Sequence, residues 1–148
     1  MSVLVDTNVL VYTHDPRDRE KKRRALEVLD GLIPAELAVL SVQCLTEFYR
    51  SVRWRIAEPL SHTAALIEVD RFSRSCRVLD LTGAVVLDGC RGCEAYQMHF
   101  WDALIWATAK LNRITHVLTE DFSDGALVEG VRFLDPFAES FDLDSLLT

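Results

Sequence analysis

Long apolar runs are missing from this 148-residue chain. Its longest stretch without a charged residue, Leu37 to Thr46, falls well short of the ~20 residues that a membrane-spanning helix needs. Asp6 breaks the N-terminal apolar run before a signal-peptide core can form. A soluble, cytoplasmic protein with no membrane attachment is expected. Glycine and proline are sparse, at 6 and 4 residues, which excludes collagen-like and low-complexity classes. The four cysteines, at 44, 76, 90 and 93, follow no disulfide framework and fit a reducing compartment. Cys90-Arg-Gly-Cys93 has redox or zinc spacing, but lacks a second ligand pair and a strand-to-helix context. A basic surplus is also missing. Residues 1–119 hold 15 acids and 15 bases, while residues 120–148 hold 8 acids against Arg132 alone, giving the net charge of −7. Strong polyanion binders usually show the opposite balance, a point that a nucleic-acid function overcomes if part of the acid count is a metal site.

What is present is enough apolar material, 49% of residues, for one domain with its own core. Ser2-Val-Leu-Val5 reads as a buried strand, interrupted by Asp6-Thr7-Asn8 before the apolar run resumes as Val9–Tyr12. Asp15 and Pro16 fit the N-cap and first position of a helix that runs to Asp30 and stops at Gly31. Leu37–Leu40 is a second strand. Ser41 can cap a helix whose apolar stripe is Val42, Leu45, Phe48, Tyr49 and Val52. Further helices are expected over His62–Ser75, Thr82–Tyr96 and Phe100–Leu111, with strands at Arg77–Asp80, His116–Thr119 and Val131–Leu134. Short strands alternating with helices imply a parallel sheet covered on both faces.

In such a sheet, ligands bind beyond the carboxyl ends of the strands. Two strands end in acids there: the first runs into Asp6, and His116–Thr119 runs into Glu120-Asp121. Asp102 is a third anomaly. It lies in the first turn of Phe100-Trp-Asp-Ala-Leu-Ile-Trp-Ala-Thr-Ala109, a helix apolar around nearly its whole circumference, with no local Lys or Arg to pair with it. A first-turn acid suits the helix dipole, but a buried carboxylate needs a partner or a metal. At ~4 Å and an effective dielectric near 20, each charged pair of carboxylates costs about 4 kcal/mol. An acid-only cluster therefore calls for a cation or raised pKa values. Hard oxygen donors without His or Cys favour Mg²⁺ or Mn²⁺, ions that typically act on phosphates.

Asp6-Thr-Asn-Val-Leu-Val-Tyr12, Gln43-Cys-Leu-Thr-Glu-Phe-Tyr49, Phe100-Trp-Asp-Ala-Leu-Ile105 and Thr119-Glu-Asp-Phe-Ser-Asp-Gly125, in this order, resemble the motifs of PIN-domain nucleases, above all VapC-type toxins of bacterial toxin–antitoxin modules. The resemblance implies a three-layer α/β/α domain with a central parallel sheet, spanning residues 1–137 and followed by an acidic tail at 138–148. It also implies an Mg²⁺- or Mn²⁺-dependent endoribonuclease, inhibited by a small VapB-like antitoxin and usually a homodimer. Asp6, Glu47, Asp102 and Asp121 match the family's catalytic, metal-binding acids. Asn8 and Thr119 match positions that orient carboxylates or water, and Asp124 is an alternative or helper to Asp121. Glu47 owes its place to that match: a helix wheel sets it roughly 160° from the apolar stripe, a solvated position by periodicity alone.

Other features are less specific. His99, where a small hydroxyl residue is expected, caps the helix or touches substrate. Lys21–Arg24 form a solvated face paired with Glu20 and Glu27, or contact RNA phosphates. Arg50, Arg53 and Arg55 follow Glu47 and are candidate RNA-backbone contacts. Trp54, Trp101 and Trp106 read as core aromatics rather than base-stacking platforms. The tail Phe141–Leu147 packs, frays or meets a partner. A haloacid-dehalogenase-type phosphatase would need an acid where Asn8 stands. A response-regulator receiver would need a Lys after a late strand, whereas Lys110 lies within a helix. The remaining rival is a PIN-like regulatory protein that binds RNA or a protein partner without cutting.

Overall fold

The computed structural model describes all 148 residues. The apolar run after Met1 forms β1 (Val3–Val5), fully buried, and the chain turns at once into a short helix, α1 (Thr7–Tyr12). Next come α2 (Arg19–Leu32), β2 (Ala38–Ser41), α3 (Val42–Trp54), α4 (His62–Ser75) and β3 (Arg77–Leu79). The second half runs α5 (Gly83–Tyr96), α6 (Phe100–Leu111), β4 (His116–Leu118), β5 (Leu127–Val128), β6 (Val131–Leu134) and α7 (Asp144–Leu147). The sheet order is β3-β2-β1-β4-β6-β5, parallel throughout except for β5, which pairs antiparallel to β6 at the edge. Helices α1 to α4 pack on one another, and α5 packs along α6, which lies on β4 and β6. The architecture is three-layer α/β/α.

Several local signals are used as the sequence suggests. Ser41 caps α3 by accepting from the Cys44 amide at 3.1 Å, and Thr82 caps α5 through the Val85 amide at 3.2 Å. Others are not. The helix expected from Asp15 starts at Asp18, whose carboxylate accepts from the Lys21 amide at 3.0 Å, and it passes through Gly31 to Leu32. Asp15 is instead buried in a forked pair with Arg17. The apolar run Val9–Tyr12, which the sequence leaves without an assigned element, is helical.

Gly89 and Gly92 sit inside α5 because α6 comes too close for a side chain. A Cβ on Gly92 would stand 2.6 Å from the Trp106 ring, and one on Gly89 would stand 2.9 Å from Leu104. Of the three tryptophans only Trp106 is core, at 0% exposure; Trp54 and Trp101 are 63% and 60% exposed, against their reading as core aromatics. The acidic tail folds back. Leu146 is buried, and Leu143 and Leu147 pack over Gly31. All four cysteines are free thiols. No helix is long and apolar enough to cross a membrane.

Candidate active site

The register of the central strands places the first acid. Val5 pairs with Leu118 across β1 and β4, so Asp6 and Thr119 emerge side by side. The Asp6 amide donates to the Leu118 carbonyl at 2.9 Å, and the Thr119 hydroxyl donates to the Asp6 carboxylate at 2.8 Å. The chain leaves β1 towards β2 and β3 on one side and returns to β4 on the other. The carboxyl ends of β1 and β4 therefore flank the point where strand order reverses, where open α/β sheets bind ligands. Asp6 is also the N-cap of α1 and accepts from the Thr7 amide at 2.7 Å.

Asp102 reaches the same point from the first turn of α6, and Asp121 from the loop after β4. Carboxylate oxygens of Asp6, Asp102 and Asp121 all lie within 4.8 Å of one another. The neighbouring acid Glu120 points elsewhere, accepting from Tyr12 and Lys21, each at 2.7 Å. Lys21 is thereby withdrawn from the solvated face expected for Lys21–Arg24, whereas Arg23 and Arg24 do pair with Glu20 and Glu27. Asp124 does not join the cluster. It accepts from the Asp135 amide at 2.9 Å and the Ser140 hydroxyl at 3.3 Å, fixing the loop that leads into the tail.

Glu47 stands beside the three acids rather than in solvent. Its carboxylate accepts from the Thr7 hydroxyl at 3.0 Å and the Gln43 amide at 2.9 Å. The first part of the face of α3 opposite its apolar stripe, at Gln43 and Glu47, thus meets α1 and the start of α6, which a single-helix wheel cannot register. Asn8 donates to Asp121 at 3.1 Å and to Thr119 at 3.3 Å. Together these groups line a cleft of about 310 Å³. Thr7 and Gln43 hold the site together and went unassigned in the sequence, although both lie within the quoted motifs. Their signal was polarity beside an acid, one and four residues away.

The electrostatics follow from this crowding. Burial pushes the Asp6 carboxyl up to about 7, against the opposing hydrogen bonds from Thr119 and Thr7, and the charges of Asp121 and Asp102 add to the rise. Burial raises Asp102 to about 6, with Asp121 and Glu47 adding and His99 opposing. Partial loss of water raises Asp121 as well, while the Asn8 hydrogen bond resists. No Lys or Arg bonds to any of the three. The buried Asn8 Oδ1 and Gln43 Oε1 find no donor. Three converging carboxylates that no Lys or Arg neutralises offer a hard, anionic set of oxygen donors, which fits a divalent cation such as Mg²⁺ or Mn²⁺.

The other candidates divide. His99 occupies the N-cap position of α6 but makes no capping bond, so the expected cap is absent. Arg53 donates to the Leu60 carbonyl at 3.2 Å and lies over the Trp54 ring, while its buried Nε meets no acceptor. Arg50 and Arg55 line a second cavity of about 570 Å³ beside the cleft.

The PIN domain family model matches residues 3–123. Among solved structures, the fold is similar to that of VapC20 of Mycobacterium tuberculosis, described as a sarcin-ricin loop cleaving toxin. That likeness is 22% identical, covers 88% of this chain and 99% of that one, and has a TM-score of 0.63. A toxin–antitoxin complex from Klebsiella pneumoniae matches at 22% identity and TM-score 0.61, covering 91% of this chain and 98% of that one. DNA-bound VapBC from Salmonella typhimurium matches at 18% identity and TM-score 0.63, covering 92% and 98%. No curated protein sequence matches.

Proposed function

The chain belongs to the PIN-domain family, and from that premise we propose that it is a metal-dependent endoribonuclease, the toxin of a toxin–antitoxin pair. One observation carries the reading: three carboxylates from three separate elements converge within 4.8 Å with no protein cation to neutralise them. A stable fold tolerates such repulsion poorly unless a ligand cation repays it. Asp6, Asp102 and Asp121 would hold Mg²⁺ or Mn²⁺, with Glu47 completing the acidic wall. When bound, the cation supplies a water of lowered pKa and positive charge against the phosphoryl oxygens.

The remaining chemistry falls to positioning. Thr119 and the Thr7 amide fix both oxygens of Asp6, so its carboxylate cannot rotate out of the cleft. Asn8 restrains Asp121, the more exposed acid, and Thr119 accepts from the Asp121 amide at 3.0 Å to anchor its loop. Thr7 and Gln43 hold Glu47 towards the cleft. Arg50 and Arg55 meet the phosphates of the flanking RNA. No side chain serves as a covalent nucleophile. Residues 1–137 make up the nuclease domain and 138–148 a tail that packs back on α2.

The structural relatives include toxin–antitoxin and VapBC complexes. On that likeness the partner is a small VapB-like antitoxin, the active form a homodimer and the compartment the cytoplasm. A regulatory protein that binds without cutting would gain nothing from a repulsive acidic cluster. The test is incubation of antitoxin-free protein with total cellular RNA in Mg²⁺ or Mn²⁺, with EDTA and Asp102→Asn as controls. Discrete cuts that need both metal and Asp102 are expected. Intact RNA in a folded, metal-loaded sample would transfer the reading to the regulatory protein.

A further inference from the structure

Beside the carboxylate cleft lies the larger cavity of about 570 Å³, and the two share Gln43, Glu47, Ser51 and Trp101. Its other walls combine two kinds of chemistry. Val42, Leu81 and Trp101 are apolar side chains left 40%, 44% and 60% exposed, while Arg50 and Arg55 bring guanidinium groups. Both arginines are exposed, and every ion pair in the molecule uses other cations. In a chain with a net charge of −7, two unpaired cations next to an acidic cleft are a local reversal of sign.

Trp101 is held rather than loose. Phe100 packs edge-to-face against its ring at 5.2 Å, and its carbonyl accepts from the Gln43 amide at 3.0 Å. The same Gln43 nitrogen donates to Glu47. One side chain therefore ties the Trp101 backbone to the acidic wall, and Asp102 follows Trp101 directly in the chain. A flat aromatic face flanked by guanidinium groups suits a nucleotide: the base stacks on the ring, and the phosphate meets the arginines. The volume falls in the range of roughly 300–1,000 Å³ typical of small-ligand pockets.

We propose that this cavity is a nucleobase subsite, in which Trp101 stacks on an unpaired RNA base next to the scissile phosphate while Arg50 and Arg55 take the adjoining phosphate. The inference rests on the ribonuclease reading for its substrate. It adds that the RNA must be single-stranded at this position, since a base held in a duplex presents no free face. A second copy of the chain or a protein partner could also cover an exposed tryptophan. The unpaired arginines and the continuity with the acids favour the nucleotide.

The test is equilibrium binding of a fluorescently labelled ten-nucleotide single-stranded RNA by anisotropy, in EDTA and low salt, with full-length protein. Trp101→Ala is expected to weaken binding by about 5- to 100-fold, and Trp101→Phe to restore most of it. Arg50→Ala and Arg55→Ala should each flatten the salt dependence. The same sequence as a duplex should bind more weakly than the single strand. Tryptophan emission should be quenched by RNA in Trp54→Phe but far less in Trp101→Phe. Wild-type affinity in folded Trp101→Ala, equal binding of duplex, or no binding by the wild type would each overturn the proposal. So would emission from Trp101 that depends on protein concentration but not on RNA, which would assign the face to a second copy. Because no metal is present, the result is independent of cleavage. RNA bound through Trp101 but never cut would sink the nuclease reading and keep the subsite; RNA cut and bound equally well by Trp101→Ala would do the reverse.

Discussion

Replacing Asp102 with asparagine should stabilise the metal-free protein, an unusual outcome for a change inside a candidate active site. Asp102 receives no hydrogen bond, so the amide loses none, and its side chain has nearly the same shape. What is removed is charge. Holding this carboxyl near 6 instead of the ordinary 3.8 makes its ionisation cost about 3 kcal/mol above neutral pH. Solvent screening at a half-exposed site reduces that to roughly 1–2 kcal/mol. The sign follows from linkage. A carboxyl whose folded pKa lies above its unfolded value favours the fold while protonated and loses that contribution as pH rises from about 4 to about 6. The comparison is thermal unfolding in EDTA at pH 4 and pH 8. At pH 8 the variant should melt roughly 2–8 °C higher than the wild type, and at pH 4 the two should converge. Adding Mg²⁺ or Mn²⁺ at pH 8 should reverse the order, because only the wild type gains from binding. An Asp102→Asn protein that melts lower at pH 8, or by the same margin at both pH values, would refute the claim that the cluster is electrostatically frustrated without its cation.

Two other perturbations separate neighbouring parts of the account. Asp121→Asn should abolish most metal-dependent RNA cleavage, whereas Asp124→Asn should leave the metal response intact and cost at most about 1–3 kcal/mol of stability through lost loop bonds; parallel cleavage and urea-unfolding measurements on the two variants distinguish them. Gly92→Ala should destabilise by about 1–3 kcal/mol, because its methyl group would meet the immobile Trp106 ring at 2.6 Å. Gly89→Ala, which meets the tip of the flexible Leu104 side chain, should cost less in the same urea titration.

Much of the fold was legible because its longer elements announce themselves locally. The helices over His62–Ser75 and Phe100–Leu111 and the strand Val131–Leu134 coincide with their sequence signals. The six residues of α1 are too few for a helical period to show, and two-residue β5 exists only through its pairing with β6. Asp15 and Asp18 are both credible caps three residues apart. Arg17 decides between them by claiming the first, a contact invisible to pattern. Asp6, Asp102 and Asp121 were legible as acids at a strand end, in an apolar helix and after a second strand. Their meeting is a consequence of strand order, which periodicity does not encode. Glu47 and Trp101 failed for opposite versions of one reason. A helix wheel reports one helix, whereas burial depends on which neighbours cover it: α1 and the start of α6 cover Glu47, while no other element buries Trp101, which stays 60% exposed.

The most direct test of the carboxylate centre is calorimetric titration of the metal-free protein with Mn²⁺ at pH 6.5, repeated in buffers of different ionisation enthalpy. With Asp6 near 7 and Asp102 near 6, both carboxyls hold part of a proton at that pH. Binding should be saturable, should release protons to the buffer, and should release fewer at pH 8. Asp102→Asn should bind far more weakly. Equal Mn²⁺ affinity in the wild type and Asp102→Asn, or no binding to the folded wild type, would contradict the assignment of these three acids as a metal centre.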